Sequence, residues 1–341
     1  MTVLENPGSG ERHLGGARAL MWLAVSLMAS GAANAACQSF AIVARVDGVP
    51  FYADKAGSVV DPEAQHRNEA EQAPIRNMLL YVETALDAKD GRSPTTDCAS
   101  AVIEDWAEKK AMAERPKTFE GLMRRQDYTI GLAVIALKLS ALGYSLTEPT
   151  QQWLRFLVDS VIDTYRQSSL RNNLYAWAGV AAAGYALVTP HPRASDFEHE
   201  VWRTSITEIS PDGFLPKEVT RAHRALIYHQ YAFSALLMLR QMRLALGESE
   251  SESDRAALQR LANRISANLC DPQQMAAASG ATQEMPDQTA FRVPDTFGDG
   301  LLDANWAKCG IAPPHYNDVN LGGRLDLTAR LLQRRAVDHP R

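Results

Sequence analysis

The sequence predicts an all-α protein, an incomplete (α/α) toroid built from helical hairpins. From about Pro62 onward, apolar residues recur at three- and four-residue spacing in one segment after another, which is the pattern of amphipathic helices. The links between these segments are short and rich in Gly, Pro, Ser and Asp. Short links join antiparallel neighbours, and roughly ten stacked helices therefore leave a concave groove suited to a long ligand.

The predicted helices follow each other in a regular order. The first four are EAQHRNEAEQAPIRNMLLYVETALDAK, CASAVIEDWAEKKAMAE, GLMRRQDYTIGLAVIALKLSAL and TQQWLRFLVDSVIDTYRQ. The next, NLYAWAGVAAAGYALV, is apolar almost all round, which is typical of an inner layer. By contrast, residues 41–52 alternate and are β-branched like an extended segment. Residues 271–299 are poor in periodicity and predict an irregular loop over one face.

The N-terminal segment has the features of a secretory signal peptide. Arginines precede an uncharged run that starts at Ala19 and ends in the small residues GAANA. We expect residues 1–35 to be removed and residues 36–341 to form a single domain, exported to the periplasm. A lipid anchor is disfavoured because Asn34 precedes Cys37 where a branched aliphatic residue is expected.

The four cysteines all lie in the predicted mature chain. An even number in an oxidising compartment favours disulfides. Their order along the chain suggests Cys37 with Cys98 and Cys270 with Cys309, although the other pairings remain open. Because close CxxC or HxxxH pairs are missing from the sequence, we expect no metal site.

The charge and the missing motifs exclude several classes of protein. The chain has a net charge of −5 and no basic run, so nucleic acid is an unsuitable partner. The apolar run near the N-terminus is too short to span a bilayer. The sequence contains no phosphate-binding glycine loop, G-x-S-x-G elbow or HExxH helix, which argues against nucleotide-binding proteins, serine hydrolases and zinc proteases. We expect no cofactor.

The densest polar set on an apolar helix lies in SPDGFLPKEVTRAHRALIYHQYAFSALLMLRQM. Arg224 and Tyr231 are seven residues apart, so they share a helix face about 10 Å apart. Arg221 and Tyr228 extend that face. Earlier in the chain, RNNLYAWAG opens an apolar helix with two asparagines, which predicts either a helix cap or a binding site.

These two segments resemble the paired active-site segments of the periplasmic alginate lyases, helical-toroid poly(mannuronate) lyases. NNLYAWAG is similar to the family's Asn-Asn-His stretch with a tryptophan three residues later, and DGFLPKE to its D-G-x-L-P-x-E segment. In the family an arginine follows, and the catalytic tyrosine comes seven residues after it. The segments DPEAQHRNEAEQAPIR and LGGRLDLTARLL resemble family segments near the two termini. The resemblance covers nearly the whole mature chain.

The resemblance implies roles for individual residues. It puts Asn173 and Arg224 on the substrate carboxylate and makes Tyr231 the proton-transfer residue. Leu174 stands where the family has a catalytic histidine, which puts activity or substrate preference in question. The further candidates for substrate binding are Asn172, His229, Tyr228, Trp177 and Arg171; of these, Asn172 is also a candidate cap, and Trp177 and His229 are also candidates for packing.

The predicted function is cleavage of an acidic polyuronate, alginate or a related glucuronate-containing polymer, by β-elimination. Arginine and an amide neutralise the carboxylate so that the C5 proton can leave. Tyrosine serves as the base when a cation favours its phenolate, and Arg224 is the expected cation. In mannuronate the C5 proton and C4 oxygen lie on the same side of the ring, so one tyrosine can serve both. Guluronate and glucuronate are expected to need a base on the opposite face, and without the histidine we expect only syn elimination.

Two other functions fit the same sequence. The first is a catalytically inactive polyuronate-binding protein of an exopolysaccharide assembly or export system, with that secretion machinery as its partner. The second is a glycoside hydrolase on the same architecture, which needs two opposed carboxylates. The acids Asp127, Asp212 and Glu218 are available, although nothing in the sequence pairs them. Residues 52–55 precede the first long helix and are a candidate cover for the groove.

Overall fold

The computed structural model describes residues 37–88 and 91–338, so the predicted signal peptide lies outside the described residues. The long helices are α1 (Pro62–Asp87), α2 (Pro94–Glu108), α3 (Phe119–Ala141), α4 (Glu148–Arg166), α5 (Asn173–Ala186) and α6 (Pro192–Thr207), followed by a short α7 (Pro216–Val219). After these come α8 (Ala225–Ala245), α9 (Glu252–Cys270), α10 (Gln273–Ser279), α11 (Arg292–Phe297), α12 (Ala304–Cys309) and α13 (Leu325–Asp338). Short 3₁₀ turns cover Ala222–Arg224, Gln288–Phe291 and Val319–Leu321.

Polar side chains at the helix starts determine where these helices begin. Asp61, Ser93 and Thr118 accept hydrogen bonds from backbone N–H groups of the first turns of α1, α2 and α3. These N–H groups have no partner inside the helix, so the caps stabilise the ends by about 1 kcal/mol each. Pro62 follows its cap at a position where a missing N–H is harmless.

The helices form two layers of hairpins. The inner helices α1, α3, α5 and α8 pack side by side in this order, and so do the outer helices α2, α4, α6 and α9. Each inner helix also packs against the outer helix that follows it. α13 packs against α8 and α3. The prediction of an all-α, incomplete (α/α) toroid is confirmed.

Helix α5 lies at the centre of this assembly. It packs against α3, α4, α6 and α8, and nearly all of its residues are buried, as its apolar sequence predicts. Gly179 allows α6 to come close, because a Cβ there would lie 2.6 Å from Val201 Cγ1. The polar groups at the N-terminal end of α5 therefore have a rigid support.

Two irregular segments depart from the sequence prediction. Residues 41–52 form no strand of a sheet and make only isolated bridges, Arg45 with Glu114 and Tyr52 with Val60. Residues 271–299, predicted as a loop, contain α10, α11 and a 3₁₀ turn. The strands β1 (Asn317–Asp318) and β2 (Gly323–Arg324) form a small antiparallel hairpin that the sequence did not predict. Two-residue strands are too short for a recognisable alternation.

The suggested cysteine pairing is confirmed. Cys37 is bonded to Cys98, and Cys270 to Cys309, each with Cα atoms 5.2 Å apart. The first disulfide attaches the N-terminal segment to α2, and the second joins the end of α9 to the end of α12. Both close long loops, which restricts the unfolded chain and stabilises the folded one.

Within residues 37–88 and 91–338, none of the helices combines the length and the apolar composition needed to cross a bilayer. In the same part of the chain, no three or more His, Cys, Asp and Glu side chains are grouped so that they could hold a metal ion.

Candidate active site

A cleft of about 570 Å³ opens between α3, α5 and α8. These helices contribute its wall, and segments 51–60, 284–293 and 318–321 contribute its rim. Of the residues predicted for the site, the cleft brings together Asn173, Trp177, Arg224, Tyr228 and Tyr231. A concave site with convergent polar groups is the usual form of a ligand-binding pocket.

Asn173 is held in place by a carboxylate of the predicted D-G-x-L-P-x-E segment. Its backbone N–H and its Nδ2 donate to Glu218 Oε1 over 2.6 and 3.0 Å, and Nδ2 also lies 3.0 Å from Oε2. Asn173 is only 1% exposed, and its Oδ1 has no partner among the described residues. Burial raises the pKa of Glu218, and the hydrogen bonds from Asn173 oppose this shift. The predicted donor to a substrate carboxylate is therefore engaged by the protein.

Asn172 is the N-cap of α5, which is one of the two interpretations that the sequence offered, a helix cap or a binding site. Its side chain accepts from the backbone N–H of Leu174 over 3.2 Å. It borders a small cavity of about 20 Å³ on another side of Asn173 and not the main cleft. The prediction that Asn172 contacts substrate is corrected accordingly.

Arg171 borders the same small cavity and not the main cleft. Its guanidinium donates to the backbone carbonyls of Tyr165, Ser168 and Leu170 and lies 4.4 Å from the ring centre of Tyr175. These contacts close the turn before α5. Arg171 therefore supports the fold, which corrects its prediction as a substrate-binding residue.

The segment that carries Glu218 has a conformation set by its own residues. Gly213 has a φ of +84°, and a Cβ there would lie 2.3 Å from the carbonyl oxygen of Arg260, so only glycine fits. Pro216 starts the short helix α7. The backbone N–H of Leu215 donates to His229 Nε2 over 2.9 Å.

His229 supports the fold and does not reach the cleft, so its predicted role in substrate binding is corrected. It is fully buried, and its Nδ1 is 2.7 Å from the carbonyl oxygen of Ala225. Both ring nitrogens have partners in the protein. Burial lowers the pKa of His229 to about 4, so the imidazole is neutral and can accept from Leu215.

Tyr231 lies in the wall of the cleft and is 38% exposed. The ring of Trp177 packs against it with 5.2 Å between ring centres, in line with the packing role considered for Trp177. The loss of water around the phenol raises the pKa of Tyr231 well above its ordinary value, and the charge of Asp127 adds to this shift. The tyrosine is consequently protonated at neutral pH.

The cation that acts on Tyr231 is Arg124 and not the predicted Arg224. Arg124 opposes the rise in the pKa of Tyr231 and forms an ion pair of 3.4 Å with Asp127. Arg224 instead pairs with Glu284 at 3.4 Å and lies 5.8 Å from the ring centre of Tyr228. The seven-residue spacing predicts Arg224 and Tyr231 on one helix face, but Arg224 lies in the 3₁₀ turn just before α8, whereas Arg124 comes from α3.

Tyr52 connects the rim to the wall. Its hydroxyl shares a hydrogen bond of 2.5 Å with Tyr228 and accepts from Arg224 Nη1 over 3.4 Å. The guanidinium of Arg221 lies 4.4 Å from the ring centre of Tyr228 and donates to the carbonyl of Ala56 over 3.0 Å. The segment considered as a cover therefore lies at the cleft.

Acidic residues that the sequence did not assign to the site also line the cleft. Burial raises the pKa of Asp127 to about 6 against the effect of Arg124, and burial also raises the pKa of Asp318. Of the three acids considered for a hydrolase, only Asp127 lines the cleft. Asp212 is exposed elsewhere and Glu218 is bound to Asn173. No sequence signal located Asp318, since it is brought to the cleft by the unpredicted hairpin.

Leu174 lines the cleft next to Asn173. The position that carries histidine in the family pattern is therefore apolar here, although it faces the same site. Its backbone carbonyl accepts from Gln126 Nε2 over 2.9 Å, which fixes the start of α5 against α3.

Comparison with known proteins agrees with this geometry. Residues 119–275, which contain α3 to α9, match the family model described as alginate lyase. A polysaccharide lyase of Stenotrophomonas maltophilia is 29% identical, over 89% of this chain and 94% of that protein. An alginate lyase of Pseudomonas syringae pv. tomato is 30% identical, over 58% of this chain and 55% of that protein. The chain thus spans about half the length of this second relative.

Solved structures share the fold. Alginate lyase A1-III from Sphingomonas species A1 superposes with a TM-score of 0.61 at 15% identity, over 86% of this chain and 84% of that one. A tyrosine-to-phenylalanine variant of alginate lyase A1-III, complexed with tetrasaccharide, superposes with a TM-score of 0.60 at 16% identity, over 76% and 79% of the two chains. At this identity the likeness extends to the fold alone.

Proposed function

We propose that this chain, which is similar to alginate lyases and to a polysaccharide lyase, cleaves a uronate-containing polysaccharide by β-elimination with Tyr231 as base and acid. The observation that carries the proposal is the placement of Tyr231 in the cleft wall with Arg224, Tyr228 and Asn173 around the same cleft. A phenol and a guanidinium in one cleft are the two groups that this chemistry needs.

Arg224 is the proposed partner of the substrate carboxylate. Its ion pair with Glu284 is on the cleft rim, where Glu284 is exposed, so a substrate carboxylate can replace Glu284. Neutralising the carboxylate makes the C5 proton more acidic, because the negative charge that develops after proton loss is spread onto that group.

The elimination then proceeds on one face of the sugar. After the Tyr231 hydroxyl has lost its proton to the solvent, its phenolate oxygen takes the C5 proton, and the electron pair of the C5–H bond forms the C4=C5 double bond. The C4–O bond breaks, the departing oxygen takes the proton from Tyr231, and the phenolate is restored. Mannuronate and glucuronate differ only at C2, so both present this syn arrangement, which corrects the expectation that glucuronate needs a base on the opposite face.

Asn173 joins this chemistry through Glu218. Burial raises the pKa of Glu218, and a substrate carboxylate nearby raises it further, so that Glu218 takes up a proton when substrate binds and can then donate to an amide oxygen. A half-turn of the Asn173 amide then lets Oδ1 accept from Glu218 and frees Nδ2 for the substrate. In this arrangement Asn173 supplies the neutral hydrogen bond to the carboxylate.

The test is ultraviolet absorbance of the unsaturated product when the purified protein acts on polymannuronate, glucuronan and polyguluronate. We expect product from at least one syn substrate and a loss of about 10³-fold in kcat for Tyr231→Phe. Appreciable cleavage of polyguluronate contradicts the syn-only mechanism, which rests on Leu174 in place of histidine.

A catalytically inactive polyuronate-binding protein is the second candidate, and Leu174 in the cleft favours it. In that case isothermal titration detects polymer binding that Tyr231→Phe leaves unchanged, and no polymer gives product. The two functions are separated by product formation alone, because both require the same cleft.

We also propose export to the periplasm. The two disulfides support an oxidising compartment. The division into a signal peptide of residues 1–35 and a single domain of residues 36–341 stays a prediction, as does any partner in an exopolysaccharide secretion system. Mass spectrometry of the secreted protein identifies the mature N-terminus.

A further inference from the structure

We infer that the preferred substrate of this cleft carries isolated uronates separated by uncharged sugars, and not a continuous run of uronates. The inference rests on the proposed function, since it concerns the same cleft. A homopolymeric uronate brings one negative charge with every sugar, so the sugars on both sides of the reacting one need cations or at least neutral surroundings. The charged residues that line the cleft offer these flanking sugars neither free cations nor neutral surroundings.

Every arginine that lines the cleft is already paired. The ion pairs are Arg124 with Asp127 at 3.4 Å, Arg221 with Glu218 at 3.8 Å, and Arg224 with Glu284 at 3.4 Å. Among the described residues that line the cleft there is no other Arg and no Lys or His. Asp127 and Glu218 are held on or beside the wall helices, so only the Arg224 pair, with its exposed acid, opens readily to a substrate carboxylate.

Carboxylates outnumber these cations. Five acidic side chains line the cleft against three arginines, and the acids are Glu120, Asp127, Glu284, Asp287 and Asp318. In the described part of the chain, Glu120 and Asp287 have no Lys, Arg or His nitrogen within 4.0 Å. Glu120 is the second residue of α3, at the N-terminal end of that helix, and Asp287 lies in the rim segment 284–293.

These unpaired acids repel additional uronates. A substrate carboxylate at Arg224 is accepted by displacing Glu284, whose own charge then remains nearby. Further carboxylates along the cleft meet Glu120 and Asp287, neither of which forms an ion pair in the described part of the chain; the charge of Arg292 acts on Asp287 from outside the cleft lining. Repulsive groups of this kind discriminate between ligands as effectively as attractive ones.

The rim offers instead a surface suited to uncharged sugars. Phe119 is 48% exposed and Met285 is 43% exposed, and both line the cleft together with Phe51. The C–H faces of a pyranose ring pack on such apolar side chains. The cleft therefore combines one position for a charged sugar with apolar surfaces next to it.

Two polymers test the inference as a matched pair. Glucuronan and hyaluronan both contain β-glucuronate substituted at O4, but its neighbours are glucuronates in the first and uncharged N-acetylhexosamines in the second. We expect kcat/KM at least tenfold higher on hyaluronan, measured by absorbance of the unsaturated product. We expect added salt to raise cleavage of glucuronan more than that of hyaluronan, because salt screens the repulsion.

The double variant Glu120→Gln, Asp287→Asn removes the unpaired charges and keeps the size of the side chains. We expect the double variant to raise the ratio of kcat/KM on glucuronan to kcat/KM on hyaluronan about tenfold. We also expect added salt to favour glucuronan cleavage less than it does in the wild type. Glu71→Gln, which changes an exposed acid of α1 outside the cleft, serves as the matched control and leaves the ratio unchanged.

The outcomes separate the two proposals. A higher kcat/KM on glucuronan than on hyaluronan, or a ratio that the double variant does not move, overturns the inference and leaves the lyase function standing. Absence of product from every uronate polymer overturns the proposed function, and the inference with it.

Discussion

The wall and the rim of the cleft are built in different ways. In and behind the wall, buried side chains are joined by short hydrogen bonds: Asn173 is held by Glu218, and His229 accepts from the backbone N–H of Leu215. In the rim, Tyr52 and Glu284 reach the wall from irregular segments through contacts that are partly exposed. The wall therefore sets the chemistry with fixed geometry, whereas the rim determines which polymer is accepted and can change without loss of the fold.

After the loss of Tyr231, the largest effect is expected behind the wall, at Glu218. Glu218→Ala removes the group that holds Asn173, and we expect kcat/KM to fall about 10²-fold, because a misplaced contact to the reacting group has effects of this size. Glu218→Gln can still donate to the Asn173 oxygen. It should retain activity within about threefold of the wild type, and an equal loss in both variants contradicts the proposed amide rotation.

The next largest effect is expected at Glu83, which lies beside the hairpin of β1 and β2, and it is an effect on stability. Glu83 is buried beside Gly323 of β2 and its carboxylate oxygens have no hydrogen-bond partner among the described residues. Burial raises the pKa of Glu83 to about 9, against the effect of Lys138. The folded state therefore disfavours the ionised form, so stability is full below the unfolded pKa and is lost as the pH rises toward about 9.

Replacing Glu83 by Gln removes this pH dependence. We expect the free energy of unfolding of Glu83→Gln, relative to wild type, to increase by about 2–4 kcal/mol between pH 5 and pH 9. Urea denaturation at several pH values measures it. Glu71→Gln, on the exposed face of the same helix, is the control. If the free energy of unfolding of Glu83→Gln changes with pH in the same way as that of the wild type, Glu83 is not the source of the pH dependence.

Arg124 tests which cation acts on the tyrosine. Since Arg124 opposes the raised pKa of Tyr231, Arg124→Gln raises that pKa further and leaves less phenolate at a given pH. We expect kcat/KM about tenfold lower at pH 7, with the rise in rate displaced to higher pH.

Arg224→Gln is the matched comparison for Arg124→Gln. It should raise KM through weaker carboxylate binding and leave the position of the pH profile unchanged. If the pH profile of the rate is displaced in Arg224→Gln and unchanged in Arg124→Gln, the cation that acts on Tyr231 is Arg224, as the sequence predicts.

The smallest effect is expected in the rim, at Tyr52. Tyr52→Phe removes one hydrogen bond to Tyr228 and one from Arg224, and we expect KM to rise about threefold with kcat nearly unchanged. Steady-state kinetics measures both. Tyr316→Phe, at an exposed tyrosine outside the cleft lining, is the control, and a large loss of kcat in Tyr52→Phe places Tyr52 in the chemistry.

The sequence located most of the wall and little of the rim. Asn173 and Trp177 come from one continuous segment, and the face of Tyr228 and Tyr231, with Arg224 just before it, comes from another. The resemblance of the two segments to the lyase family assigned them to one site. His229 lies beside that face on the same helix, yet it is buried against Leu215. Neighbouring positions on one helix differ in burial, and only the packing of the next segment determines which of them meets the cleft.

The rim depends on contacts between distant parts of the chain. Tyr52 and Tyr228 are 176 residues apart, and Asp318 reaches the cleft through a hairpin of two-residue strands. No local periodicity marks such residues, because their position follows from how whole helices pack.

By itself, the sequence determined the helical class, the hairpin order, the cap at Asn172, and the segments that resemble alginate lyases. Interactions within a few residues govern these features, and such interactions are written in spacing and residue type. Only the tertiary structure decided that Arg124 faces Tyr231, that Glu218 holds Asn173, and that every arginine of the cleft has an acidic partner. Charges interact through space, so their effect depends on distances that the packing of remote helices sets.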